Sequence, residues 1–271
     1  MFFKDKYDLE YQCDFDFKGC NTLILSGGAY KCIYFLGALD RIKKSKYLNN
    51  LSTLKYFGGT SSGALITTLI ALGCTPYELF SKFLEDRCEN VTKLLEIAMN
   101  FVKEKLLERN MDENITFKEF EMVTGKQLAF VVSNISKLRE EIFCMQTHPD
   151  TPVITGIKLS CSLPILFPVA KYNNSIYTDG IFFDNFPLKL AKLFPKSYKV
   201  LAITTLTSHY DRRMKEYYNN TKTFKILLIP DHIRKYICVT KENKYMMYVT
   251  GYNYVNKYMI KEKKLKRSNS F

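Results

Sequence analysis

The sequence predicts an α/β fold with a parallel sheet, and three observations carry that prediction. A short apolar run, Thr22-Leu23-Ile24-Leu25, stops at Ser26-Gly27-Gly28, and a helical pattern follows at Tyr30, Ile33, Tyr34, Gly37, Ala38, Arg41 and Ile42. The same unit recurs at once: Leu54-Lys55-Tyr56-Phe57 reads as a strand, Gly58-Gly59-Thr60-Ser61-Ser62-Gly63 as a turn, and residues 64–72 as a helix. Successive strand–loop–helix units mark parallel strands joined by crossover helices. Later strand candidates at 128–133, 142–145, 200–205 and 225–229 extend the sheet.

Helix signals fill the intervals. Thr75-Pro76 opens one helix, and Val91 opens a longer one whose apolar residues Val91, Leu94, Leu95, Ala98, Val102 and Leu106 keep the helical period. Thr116-Phe117-Lys118-Glu119 has the form of a capping box and starts a short helix that ends at Thr124-Gly125-Lys126. Residues 155–162 read as a helix stopped by Leu163-Pro164, 177–180 as the end of a strand, and 187–194 as a helix. Residues 1–20, charged and aromatic without a period, read as an N-terminal arm. Residues 21–256 form one domain, and 257–271, with Lys257, Lys261, Lys263, Lys264, Lys266 and Arg267, form a basic tail. That tail reads as solvated; docking on anionic lipid or nucleic acid is the alternative.

The chain of 271 residues is long enough to bury a sizeable core. Its net charge of +13 points to an anionic partner, whether a membrane surface, an acidic ligand or a nucleic acid. The eight cysteines form no Cys-x-x-Cys pair and the histidines number three, so no metal site is expected. Cysteines within apolar runs pack as free thiols, which suits an intracellular protein. The first ten residues carry too many charges for a secretory signal, and no run of about 18 apolar residues offers a transmembrane span.

The chemistry centres on Gly59-x-Ser61-x-Gly63, the spacing of a nucleophile elbow. A serine on a sharp strand-to-helix turn crowds residues two positions away, and glycine relieves that crowding. The turn also sets the hydroxyl at a helix N-terminus, where free N–H groups favour developing negative charge. Such a serine needs a base and an oxyanion site. Gly27-Gly28-Ala29-Tyr30-Lys31 is the candidate for the second, because small residues after a strand leave N–H groups exposed. Its spacing fits neither dinucleotide nor Walker loops. For the base, a Ser-Asp-His triad in hydrolase order could use Ser61, Asp179 or Asp184, and then His209 or His232. His209 in Thr207-Ser208-His209-Tyr210-Asp211 is the better placed of the two histidines, and His148 is the third.

Four segments in order resemble the patatin-like phospholipase family. They are Leu23 through Cys32 with Ser26-Gly27-Gly28-Ala29-Tyr30-Lys31, the elbow Gly59-Thr60-Ser61-Ser62-Gly63, Ser160-Cys161-Ser162-Leu163-Pro164 with Phe167-Pro168, and Tyr177-Thr178-Asp179-Gly180-Ile181 with Asn185-Phe186-Pro187. Residues 116–126 also resemble the family's helix ahead of its central strands. The resemblance implies a three-layer α/β/α sandwich with a mainly parallel central sheet. It further implies a Ser-Asp dyad, with Ser61 as nucleophile, Asp179 as base, and N–H groups of Gly27, Gly28 and Ala29 holding the oxyanion. Lys31, Gly59, Gly63 and Gly180 support these motifs. The implied reaction is hydrolysis of acyl esters in phospholipids or related lipids, without cofactor or calcium, at an anionic membrane surface and with no nucleic acid. The segment 75–111 is expected to cover the site and meet lipid. Two departures stand out: Ala29 where the family usually has a third glycine, and Cys32 where a glycine usually follows the basic residue. A Ser-His-Asp esterase using His209, and a scaffold with weakened chemistry that binds lipid or protein, are the rival readings. Lys31 anchors the loop or meets lipid phosphate.

Overall fold

The computed structural model describes residues 19–45, 51–85, 91–164, 166–167, 169–196, 199–205, 217, 220, 223–231 and 239–268. Thr22–Leu25 (β1) is fully buried because both faces of a parallel strand are covered. Its side chains alternate: Leu23 and Leu25 enter the larger core and Ile24 the smaller one behind the sheet. Around β1 the parallel strands are Tyr56–Thr60 (β2), Val200–Thr205 (β7) and, beyond β7, Phe224–Ile229 (β8). On the other side β2 pairs in parallel with Gln127–Asn134 (β3). Antiparallel strands finish that side: Arg139–Cys144 (β4) and Ser175–Asp179 (β6) on β3, and Ala170–Tyr172 (β5) on β6. The sheet is thus α/β and mainly parallel, as the sequence predicts.

Tyr217, also helical, packs on one face, while the other carries seven of the described helices. Cys32–Lys43 (α1), Ser62–Ala71 (α2), Pro76–Glu85 (α3), Val91–Leu107 (α4), Phe117–Thr124 (α5), Val153–Ser160 (α6) and Lys241–Ser268 (α7) pack there around Leu23, Leu25, Phe57, Phe130 and Leu201. The opposite face is closed by Phe186, Leu188, Leu190, Ala191 and Phe194, in and beside the 3-10 turn Leu188–Lys192. The capping box forms as expected: the Glu119 N–H donates to Thr116 Oγ1 at 3.2 Å and the Thr116 N–H to Glu119 Oε2 at 2.9 Å. Such a cap contributes on the order of 1 kcal/mol.

α1 and α7 cross almost backbone to backbone. A Cβ on Gly37 would lie 1.9 Å from the carbonyl oxygen of Tyr248, and one on Gly251 would lie 1.9 Å from that of Tyr34. The Tyr248 hydroxyl donates to Asp40 Oδ2 at 2.6 Å, and its ring stacks on Phe80 with centroids 4.0 Å apart.

The structure corrects several boundaries. β2 begins at Tyr56 and runs through Gly58-Gly59-Thr60, so much of the expected turn is strand. α6 spans Val153–Ser160 rather than 155–162, and the expected helix at 187–194 is the short 3-10 turn. β5 and α7 were not expected. The α7 backbone is helical through Ser268, across most of the stretch read as a tail. Cys20, Cys32, Cys74, Cys144 and Cys161 are buried free thiols; Cys13, Cys88 and Cys238 lie outside the described residues.

Candidate active site

Sheet register brings the candidate nucleophile and base together. β4 occupies one edge of β3 from Ala129 to Asn134, so β2 and β6 must share the other edge. β2 holds it up to Thr60, opposite Val131, and β6 takes it over from the other direction, ending at Asp179 opposite Val132. The C-terminal ends of the two strands therefore meet head to head. The next residue after β2 is Ser61.

Ser61 sits at φ 53° and ψ −127°, in the sparsely populated backbone region that an elbow demands. Its neighbours leave no room for alternatives: a Cβ on Gly63 would lie 2.4 Å from the Leu25 carbonyl oxygen, and one on Gly59 2.4 Å from the Gly63 carbonyl carbon. Ser61 Oγ donates to Asp179 Oδ2 at 2.7 Å. The other carboxylate oxygen, Oδ1, accepts from the Ile181 N–H at 3.0 Å. Burial pushes the Asp179 carboxyl up to about 7, against the lowering effect of the bonds from Ser61 and Ile181. A carboxylate in that range is matched to accepting a proton near neutral pH.

The turn after β1 lies alongside: a Cβ on Gly27 would lie 2.7 Å from Asn185 Oδ1 and 3.2 Å from Ser61 Cβ. The Gly27 N–H is committed to the Asn185 carbonyl at 3.0 Å, which removes it from the three candidate oxyanion donors. For the N–H groups of Gly28 and Ala29 no acceptor is found among the described residues. Gly28 has φ 156° and ψ 23°, and Ala29 has φ 49°, a positive value that costs a non-glycine residue about 1 kcal/mol. Lys31 folds beneath this turn. Its backbone N–H donates to the Gly28 carbonyl at 2.8 Å, and its buried Nζ pairs with Asp231 Oδ2 at 2.9 Å. That geometry matches the anchoring reading of Lys31. Cys32 is fully buried, and burial pushes its thiol up to about 12, so it packs as a hydrophobe.

A small, half-open pocket lies at Ser61. Leu65 of α2, Val91, Leu94 and Leu95 of α4, and Leu163 and Phe167 form its apolar wall, with Ala29, Ser62 and Cys161 beside the serine. The segment expected to cover the site thus supplies one wall through α4.

Gly180 is buried, and a Cβ there would lie 2.2 Å from the Val131 carbonyl oxygen, so it lets the turn after β6 pass close under β3. Asp184, the other candidate carboxylate, pairs with Lys189 at 3.0 Å rather than with Ser61. His148 stacks on Phe143 with centroids 3.9 Å apart and Nδ1 facing the Ile142 carbonyl oxygen at 3.1 Å. His209 and His232 lie outside the described residues. Among the described residues no cluster of His, Cys, Asp or Glu is arranged to hold a metal ion, and no helix is long and apolar enough to cross a membrane.

This geometry sets a serine hydroxyl against a buried carboxylate at one edge of an α/β sheet. The model of the family described as patatin-like phospholipase matches residues 23–192. A protein named probable lipid hydrolase 463L, from Invertebrate iridescent virus 6, is 35% identical, with 80% of this chain and 81% of that protein aligned. The uncharacterized protein YqhO of Bacillus subtilis is 25% identical over 75% of this chain and 77% of its own. Among solved structures, VipD from Legionella pneumophila superposes with a TM-score of 0.57 at 15% identity, over 88% of this chain and 66% of VipD. The type III effector ExoU gives 0.53 at 15% identity, over 90% of this chain but 53% of ExoU. The chain therefore spans about two thirds and about half of those two structures, and at that identity they speak for the fold. The chain belongs to the patatin-like phospholipase family, a family of lipid hydrolases.

Proposed function

We propose that the protein is a lipid acyl hydrolase of the phospholipase A type, working through a Ser61 acyl-enzyme with Asp179 as its base. The 2.7 Å bond from Ser61 Oγ to a buried carboxylate, at the mouth of an apolar pocket, carries this reading. Ser61 Oγ attacks the ester carbonyl carbon while its proton passes to Asp179 Oδ2. The tetrahedral oxyanion is held by the N–H groups of Gly28 and Ala29. Collapse breaks the ester C–O bond, and the departing alcohol takes the proton from Asp179. Water then repeats the sequence on the acyl-enzyme and releases the fatty acid. The apolar pocket takes the acyl chain.

No metal or cofactor enters this scheme, so turnover is expected to survive a chelator. Approach from a bilayer is supported by exposed apolar side chains beside the site: Phe182, three residues past Asp179, and Val169, two past Phe167. The net charge of +13 favours an anionic surface. The test is fatty-acid release from mixed phospholipid vesicles with chelator present. Wild-type protein should release fatty acid, whereas Ser61→Ala and Asp179→Ala should lose at least about 10⁴-fold while staying folded. Wild-type protein inert on phospholipids, neutral lipids and soluble esters alike would favour a binding scaffold instead.

A further inference from the structure

The motif Ser160-Cys161-Ser162 marks the end of α6, and its chemistry is not used by the dyad itself. Its three residues nevertheless reach both members of the dyad. Ser160 is fully buried, and its Oγ accepts the Ser61 N–H at 2.9 Å while donating to the Val131 carbonyl at 2.7 Å. The Ser162 carbonyl accepts the Asp179 N–H at 2.9 Å and the Thr178 hydroxyl at 2.9 Å. Between them the buried Cys161 lines the pocket beside Ser61. One helical turn thus ties the nucleophile's amide to the base's amide.

The Ser160 bond answers a specific need. At φ 53° the Ser61 N–H is swung out of the ladder that pairs β2 with β3, and α2, which starts at Ser62, does not claim it. A buried N–H without an acceptor is costly, and the cheapest relief would be for the elbow to relax toward an ordinary turn. Relaxation would swing Oγ away from Asp179. By accepting that N–H and delivering its own proton to Val131, the Ser160 hydroxyl locks the elbow to the same β3 edge that carries Asp179.

We propose that Ser160 is a positioning residue for Ser61: its hydroxyl holds the nucleophile in the strained backbone geometry from which Oγ reaches the base. This rests on the hydrolase reading above. Because a displacement of about 1 Å at the reacting centre can cost roughly 100-fold, the loss should fall on kcat and leave KM nearly unchanged.

The experiment compares wild type with Ser160→Ala, Ser160→Cys and Ser160→Thr on a soluble p-nitrophenyl ester. Each rate is normalised to sites titrated with a fluorophosphonate that labels Ser61, and melting temperatures are recorded in parallel. Cysteine keeps the packing but accepts a hydrogen bond weakly, whereas threonine keeps the hydroxyl at the expense of one extra methyl group. Ser160→Ala and Ser160→Cys should both lose roughly 10- to 100-fold in kcat and label more slowly, with KM within about twofold, and Ser160→Thr should recover most of the loss. Ser160→Cys matching wild type, or a fall in melting temperature with kcat per titrated site unchanged, would overturn the proposal by showing that Ser160 only packs. Wild-type protein that neither cleaves the ester nor labels would overturn the hydrolase reading, and this proposal with it.

Discussion

Two turns, one after β1 and one after β2, solve the same geometric problem in different ways. Each ends a buried parallel strand, starts a helix and holds a non-glycine residue near φ +50°: Ala29 at 49° and Ser61 at 53°. At Ser61 the unusual backbone is what aims Oγ at Asp179, and it is fixed from the sheet side through β3 and β6. At Ala29 the side chain contributes only a methyl group to the pocket wall, and its turn is fixed from below by the Lys31–Asp231 pair. Strain that is indispensable in one turn is incidental in the other. The turn at Ser61 should therefore tolerate no change, and the turn at Ala29 should improve with one.

The sharpest break is at Gly63. A methyl group 2.4 Å from the Leu25 carbonyl oxygen cannot be absorbed without separating α2 from β1. Gly63→Ala should cost about 3 kcal/mol or more in urea unfolding and abolish labelling of Ser61. Next is the support beneath the other turn. Asp231→Ala removes the carboxylate that pairs with the buried Lys31 ammonium, and should cost about 3 kcal/mol with a matching loss of ester turnover.

The base sets a pH signature. Burial disfavours the charged form and pushes the Asp179 carboxyl from the ordinary aspartate value of 3.8 up to about 7. Turnover should rise with pH through about 7 as Asp179 ionises, a profile read from kcat against pH on the soluble ester. Stability runs the other way: the folded state binds this proton more tightly than the unfolded state, so Asp179 favours folding below about 4 and loses that contribution as pH rises through about 7. Asp179→Asn should be inactive, and its melting temperature relative to wild type should climb over the same window. The smallest effect is at Ala29. Ala29→Gly should gain about 1 kcal/mol of stability by relieving the positive φ, with the helix and sheet unmoved, measured by urea unfolding. Loss of stability there would show that the methyl group's packing outweighs the backbone strain.

Much of this was legible in the residue pattern, for physical reasons that differ by element. β1, β2 and their helices announce themselves because a doubly covered strand is a continuous apolar run cut off by glycine. The elbow is legible because steric crowding around a strained serine admits only glycine two positions away. Asp179 was found as a candidate, but its rival Asp184 was dismissed only by the Lys189 pairing, a contact no spacing encodes. Gly27 illustrates the opposite limit: its motif position suggests a free N–H, yet the chain near Asn185 folds back and takes it. α7 was missed for a compositional reason. Its inward stripe, Lys244, Met247, Tyr248, Gly251 and Val255, keeps the helical period but is built partly from a lysine, a tyrosine and a glycine. The lysine is accommodated because its Nζ donates to the Phe83 carbonyl at 3.1 Å and lies 5.2 Å from the centre of the Tyr30 ring.

The α1–α7 crossing also sets an order of events during synthesis. α1 follows directly from the oxyanion turn, yet its glycine face at Gly37 is closed only by residues near Gly251, more than 200 positions later on the ribosome. Asp231, which anchors Lys31 beneath the same turn, also emerges late. The Ser61 turn and Asp179 are joined by strands complete by residue 179, whereas the turn at Ala29 gains its Lys31 anchor only from Asp231.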